Sequence, residues 1–199
     1  MTLRFALLAS LSARPRTGYD LLRIFDSSIG FVWHAAHTQI YPELRRMEAE
    51  GLLASVEVPR GPRAHKREYR ITDHGLNTLR QLASTPVEPL PEKDPYRLKA
   101  AYLEWADPDG AREQFRLHLV HYQRWLREWE EVERRIAAGD DPVVRERLEA
   151  MPADQHRTIV AAKVFAYQGM IARAKMEIDW AEQGLALLDT LAQPARPNG

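Results

Sequence analysis

The chain has 199 residues with 28 Lys or Arg balanced by 28 Asp or Glu and no Cys. That length buries a substantial core and accommodates a small domain with a helical partner. The absence of Cys excludes disulfides, thiolate metal sites and a Cys nucleophile, and fits a reducing compartment. Net neutrality would argue against a nucleic-acid partner, but the charge is unevenly placed: residues 1–85 carry 12 basic against 8 acidic side chains, residues 86–199 carry 16 against 20. The positive excess therefore sits in the first half, where phosphate attraction would need it.

The opening MTLRFALLASLSARP has a basic residue and an apolar run. The run is too short to span a membrane and passes straight into an amphipathic pattern, so it reads as the first helix of a cytoplasmic protein rather than a leader. Leu3, Leu7, Leu8 and Leu11 recur at helical spacing up to a break at SARPR. A second helix starts near Thr17, with Asp20 three residues on as in a capping box, and turns Tyr19, Leu22, Ile24 and Phe25 towards a core until Gly30.

The stretch His34–Leu53, HAAHTQIYPELRRMEAEGLL, organises the first half. Ile40, Leu44 and Met47 fall on one side of a helix and Glu43, Arg45, Arg46 and Glu48 on the wetter sides; Gly51 stops it. Pro42, lacking an N–H, is expected in or near the first turn. This puts His37, Thr38 and Gln39 at the leading end, where side chains reach base edges and amides face phosphate. Tyr41 fits either backbone contact or a core aromatic with a wet hydroxyl. LLASVEV and KREYRI then flank PRGPRAH as strands flank a turn, with Arg60, Arg63, Lys66 and Arg67 on or beside it. A helix feeding a basic hairpin is the end of a winged helix-turn-helix unit, the helix in the major groove and the hairpin along the backbone. Of Arg45 and Arg46, one is expected at DNA and the other paired with an acidic neighbour. His34 and His37 are three apart, as metal ligands on a helix can be, but no Cys or clear carboxylate accompanies them, so no metal is expected.

Thr72 caps a fourth helix carrying Gly75, Leu76, Leu79 and Leu82. The segment STPVEPLPEKDP holds four prolines, which sets the expected domains at 1–85, a linker at 86–95, a helical domain at 96–192 and a flexible tail at 193–199. In that second domain the spacing predicts one short helix over Tyr96–Trp105, a turn at DPDG, a long helix from Phe115 ending at Gly139–Pro142, and a final helix. The final helix carries a heptad seam, including Tyr167, Ile171, Ala174, Ile178, Ala181, Leu185 and Leu188, and a second apolar face with Phe165, Ala172, Met176 and Trp180. Two such faces point to a homodimer; a monomeric bundle burying both is the alternative. Trp33, Tyr122, Trp125 and Trp129 suit the wall of an aromatic effector pocket between the two domains, against a reading as ordinary core or dimer contacts.

A family resemblance runs along nearly the whole chain. Gly18-Tyr19-Asp20, Gly30-Phe31-Val32-Trp33, Gln39-Ile40-Tyr41-Pro42-Glu43-Leu44 and Glu50-Gly51-Leu52, in this order, resemble the signature of PadR-family transcriptional regulators. The wing with Gly61-Pro62-Arg63 and the ending Tyr69-Arg70-Ile71-Thr72 are similar too, as are Pro86-Val87-Glu88-Pro89 and the setting of Arg173, Ala174 and Trp180. The resemblance implies a mainly α fold with a small β hairpin: an N-terminal winged helix-turn-helix and a C-terminal helical domain that mediates homodimerisation. It also implies a repressor of a pseudo-palindromic duplex operator, needing no cofactor. Several members of the longer subfamily lose DNA affinity when a small molecule binds, and the segment Trp33–Leu44 is similar to that of phenolic-acid-responsive repressors. His65, between Arg63 and Lys66, departs from the pattern. The alternatives are a helical protein-interaction module that uses the winged helix for protein contacts, and an enzyme; no dinucleotide fingerprint, phosphate loop, HExxH or GxSxG supports the latter.

Overall fold

The computed structural model describes residues 3–27, 37–59, 65–89 and 93–192. The chain divides into two compact units, Met1–Pro89 and Leu90–Gly199.

The first unit runs α1 (Leu3–Leu11), β1 (Arg16–Thr17), α2 (Gly18–Ser27), α3 (His37–Ala49), β2 (Leu53–Pro59), β3 (His65–Ile71) and α4 (Asp73–Ser84). Its sheet is antiparallel in the order β1-β3-β2, with Leu53 opposite Ile71, Pro59 opposite His65 and Arg16 opposite Tyr69. The hairpin therefore has a third strand, formed by two residues of the SARPR break. Leu7, Leu8, Leu21, Ile40, Leu44 and Met47 are fully excluded from solvent and join Leu11, Phe25, Leu52, Leu53 and Tyr69 in one core. On α2 the inward residue is Leu21, whereas Tyr19, expected in the core, is 61% exposed. A helix places residues 100° apart, so Leu21, Ile24 and Phe25 share a face that Tyr19 is too far round to join.

Helix α3 ends as the Gly51 reading requires. Gly51 adopts φ +73°, its N–H donates to the Glu48 carbonyl at 3.0 Å, and Leu52 N–H reaches back to Met47 at 2.9 Å, the paired bonds of a Schellman cap. Pro42 lies inside the helix rather than in its first turn, so the Thr38 carbonyl forgoes its intrahelical N–H. At the start of α4, the Thr72 hydroxyl accepts from Gly75 N–H at 3.0 Å and donates to the carbonyls of Gly51 and Leu52. A single side chain thus ties the ends of α3 and α4 together.

The second unit contains α5 (Pro95–Ala100), a 3₁₀ turn (Leu103–Trp105), α6 (Pro108–Ala138), α7 (Pro142–Glu149) and α8 (Ala153–Leu191). Three of its helices start with Asp followed by Pro: Asp94, Asp107 and Asp141 each accept a backbone N–H from the first turn. The span Tyr96–Trp105 is consequently not one helix, since α5 stops at Ala100 and restarts only as the 3₁₀ turn. DPDG is the cap and first turn of α6, which begins seven residues before Phe115. Gly139, at φ +77°, closes α6, and the eight-residue α7 that follows lies in a stretch with no expected helix.

Helices α6 and α8 pack antiparallel. Early α6 meets late α8 through Phe115 on Trp180 (ring centroids 5.4 Å) and Arg112 on Asp189 (2.5 Å); late α6 meets early α8 through Glu133 and Gln168 (3.4 Å). The α8 face turned inward is Tyr167, Ala174, Glu177, Ala181 and Gly184. A Cβ on Gly184 would strike the Phe115 ring, so the absent side chain sets how closely the helices approach.

Gly75 offers a test of this packing. A Cβ there would collide with the Leu52 carbonyl and sit 2.8 Å from Ile71 Cγ1. Despite alanine's better helix propensity, Gly75→Ala is expected to lower unfolding free energy by about 1–3 kcal/mol through overpacking, read as a reduced urea midpoint at unchanged m-value. An unchanged or raised midpoint would contradict the packing described.

Candidate functional site

Burying Ile40, Leu44 and Met47 leaves the opposite side of α3 outside: Thr38, Gln39 and Arg45 are exposed, and Tyr41 is 43% exposed. The side chain of His37 and residues Trp33, His34, Arg60 and Arg63 lie outside the described residues. A cleft of about 770 Å³ opens on this unit, bordered by Tyr19, Asp20, Tyr41, Arg45, Lys66 and Arg67, with Thr17, Gly18 and Tyr69 at its base. Gly18 is required here, because any Cβ would run into the Tyr41 ring. Two exposed tyrosines, two cations on the wing and one on the reading helix thus share one concavity. Sequence periodicity assigned Tyr19 to the core, and its exposure could have been found only from the phase set by Leu21.

Four ion pairs determine which cations remain available. Arg4 on α1 clasps Glu50 with both terminal nitrogens (2.6 and 2.9 Å) and gives its Nε to Glu43 at 2.9 Å; these acceptors hold its pKa above the ordinary guanidinium value. Arg46 donates to the other Glu43 oxygen at 2.9 Å, so it is the arginine with an acidic partner. Arg67 on β3 donates to Glu48 on α3 at 3.0 Å, and the Ser55 hydroxyl on β2 donates to the other oxygen of the same carboxylate. Glu48 thereby joins both wing strands to α3. Arg45 has no ion-pair partner among the described residues and borders the cleft.

The second helix is fixed by a closed capping box. The Asp20 carboxylate accepts from the Thr17 hydroxyl (2.6 Å) and N–H (3.1 Å), while Thr17 Oγ1 accepts from Asp20 N–H at 3.2 Å. The Thr17 hydroxyl bond and then its N–H bond, with the nearby charges of Lys66 and Arg16, hold Asp20 below the usual carboxylate range.

In the helical unit, Trp129 is buried and stacks on Trp125 with centroids 5.5 Å apart. Trp125 is half-buried beside it, and Tyr122 borders a cleft with Tyr96, His118 and His121. The sequence reading missed the buried acid of this unit. Glu177, 2% exposed, accepts from Arg97 at 3.1 Å and bonds His118 Nε2 at 3.0 Å. Those partners lie 80 and 59 positions away, beyond any local spacing signal. Of the seam residues, Tyr167, Ala174 and Ala181 are buried, while Ile171, Ile178, Leu185 and Leu188 are half-buried. Among the described residues no group of three or more His, Asp or Glu could hold a metal ion, and no helix is long and apolar enough to cross a membrane.

An amphipathic reading helix, braced by two others and followed by a cationic two-stranded wing, defines the winged helix-turn-helix class of regulators. Residues 7–81 match the transcriptional regulator PadR-like family. The chain is 28% identical over 189 residues to the negative transcriptional regulator PadR of Bacillus subtilis, covering 94% of this chain and 97% of that one. The structure of that protein with operator DNA superposes with a TM-score of 0.73 at 26% identity, over 93% of this chain and 97% of the other. Its complex with p-coumaric acid gives 0.66 at 25%, over 94% of each. The Vibrio cholerae virulence activator AphA gives 0.70 at 25%, over 96% of this chain and all of the other. Over residues 7–81 in sequence, and over nearly the whole chain in fold, this protein is similar to PadR-like transcriptional regulators.

The capping box yields a pH test. Asp20 has a folded pKa below its unfolded value, so the stability it adds is complete above the ordinary carboxylate range and is lost as pH falls through the depressed pKa. Thermal melts of Asp20→Asn are expected to show a lower Tm than wild type at pH 7 and a gap that narrows towards pH 2. A gap that stays constant would place the stabilisation elsewhere.

Proposed function

We propose that this protein is a dimeric, double-stranded-DNA-binding repressor whose hold on a pseudo-palindromic operator is released by a small aromatic acid. The observation that carries the DNA reading is the joint exposure of Thr38, Gln39, Tyr41 and Arg45 on α3 beside Lys66 and Arg67 of the wing. Phosphate contacts by Arg45 and the wing cations, with Arg60 and Arg63 of the sequence between β2 and β3, would position the protein, and Gln39 would read an adenine edge through its paired donor and acceptor. In this reading residues 1–85 bind DNA, 86–95 link, and 96–192 dimerise and take the effector, in the cytoplasm. Repression and release by a phenolic acid are supported by the negative regulator PadR of B. subtilis and its complexes with operator DNA and p-coumaric acid.

The dimer reading rests on the outer face of α8. With Tyr167, Ala174 and Ala181 covered within the chain, the surface left for a second copy is the opposite stripe, where Phe165 is 77% and Met176 50% exposed and Gly169, Ala172 and Leu187 lie in the open. Small residues between large apolar ones allow close helix contact, and two copies would hold two reading heads at one spacing.

Operator titrations test the DNA reading. Arg45→Ala with Lys66→Ala is expected to flatten log K against log salt by about 2, near 0.9 per lost phosphate contact, and to weaken operator and random duplex alike. Gln39→Ala is expected to cost about 1–3 kcal/mol of discrimination between the operator and a single-pair variant with little change on random duplex. An unaltered salt slope together with unaltered discrimination would remove this face from the DNA and favour a protein-contact role for the winged helix.

Phe165→Asp with Met176→Asp tests assembly by light scattering. A folded monomer with operator affinity lowered by about 10²–10⁴ is expected from the loss of linked binding, whereas an intact dimer would place the interface on another face.

A further inference from the structure

Glu48 sits in the last turn of α3, where the helix presents its carbonyl oxygens and a carboxylate is electrostatically unfavourable. Arg45, one turn back and correctly spaced to pair with it, has no ion-pair partner among the described residues and faces the cleft instead. Glu48 turns to the wing. One carboxylate oxygen accepts from the Ser55 hydroxyl on β2 and the other from Arg67 Nη1 on β3 at 3.0 Å. The sheet register supplies both donors: Ser55 stands opposite the buried Tyr69, and Arg67, two residues from Tyr69 along β3, shares its face. An acid that is unfavourable in its own helix and is held by two other elements marks a constraint imposed for function.

That constraint falls on a single cation. Arg45, Lys66 and Arg67 all border the cleft between α3 and the wing. Arg45 and Lys66 are exposed and have no ion-pair partner among the described residues, so each can swing towards any phosphate within reach. Arg67 cannot. Its side chain is 52% exposed, yet Nη1 is committed to Glu48. A guanidinium is planar and rigid, so fixing one of its nitrogens fixes the direction in which the remaining donors point.

We propose that Glu48 is a specificity-determining positioning residue: by tethering Arg67 to α3, it lets that cation meet a DNA phosphate only when α3 is seated in its own site. The role deepens the reading of α3 and the wing as a DNA interface and rests on it. On a matched duplex the tethered guanidinium and the seated helix engage together. On a random duplex, touched in other registers, the same guanidinium misses the backbone, and the tether withholds one phosphate contact from the non-specific complex. Phosphate contacts carry no sequence information of their own, so discrimination here comes from restraining a cation rather than from adding a base contact.

The test is fluorescence-anisotropy titration of the full-length protein across a salt series, with random duplex and with an operator recovered by selection from a random pool. Glu48→Gln keeps an oxygen for Ser55 and removes the charge; the pair is partly exposed, so circular dichroism and the urea midpoint are expected to stay near wild type. Affinity for random duplex is expected to rise about five- to ten-fold at about 0.1 M salt, with a salt slope steeper by about 0.9, as one gained phosphate contact requires. Operator affinity is expected to change much less, so the operator-to-random ratio falls. In an Arg67→Ala background, Glu48→Gln is expected to leave random-duplex affinity unchanged. Glu57→Gln removes the same charge directly opposite Arg67 in the sheet and is expected to leave the ratio at its wild-type value. An unchanged ratio in Glu48→Gln, or a gain on random duplex that survives Arg67→Ala, would overturn the tether and leave the DNA reading standing. Weaker binding to both duplexes with a lowered urea midpoint would make Glu48 a brace of the fold and overturn the specificity role. Wild type that prefers no duplex sequence would overturn both the role and the DNA reading.

Discussion

The burial of one face of α3 governs what the winged unit does. Ile40, Leu44 and Met47 are completely excluded from solvent against α1 and α2, each contributing about 1.5–3 kcal/mol of transfer free energy. Because residues three and four apart share a helix face, that burial fixes the rotation of α3 about its axis. The rotation in turn presents Thr38, Gln39 and Arg45 outward. A polar residue at Leu44 would therefore cost both stability and the direction in which the exposed side chains point.

Charge then selects among the cations that rotation exposes. Among the described basic side chains at or near α3 and the wing, three are held by carboxylates: Arg4 by Glu43 and Glu50, Arg46 by Glu43, and Arg67 by Glu48. These pairs are partly exposed and each contributes modestly to stability. Their larger effect is geometric, since Glu43 and Glu50 hold α1 to the back of α3 while Glu48 holds both wing strands to its end. The wing is thereby tied to α3 at Glu48, the kind of link that lets phosphate contacts set the register for base contacts.

Local chemistry was legible in the sequence wherever a side chain acts on its own backbone neighbourhood. Thr17 with Asp20, Gly51, Thr72 and Gly139 all mark helix ends because capping needs particular residue types at fixed offsets. The apolar face of α3 followed from the 3.6-residue period. Features decided by distant partners were not legible. Strand β1 is two residues long and exists only because β3 lies beside it. Tyr19 looked apolar enough for the core, yet Leu21 holds the phase. The seam of α8 was visible, but not that α6 of the same chain covers Tyr167, Ala174 and Ala181. Glu177 carries no local mark of its burial, since Arg97 and His118 converge on it from far along the chain.

In the proposed function the exposed end of α3 reads duplex sequence, with two copies acting at a fixed separation. Selection of tight binders from a pool of random DNA duplexes by the full-length protein, followed by sequencing, tests it most directly. Two inverted half-sites about one helical turn, or a whole number of turns, apart are expected to be enriched. Recovery of duplexes with no shared sequence, or of a lone half-site with no partner at constant spacing, would contradict it.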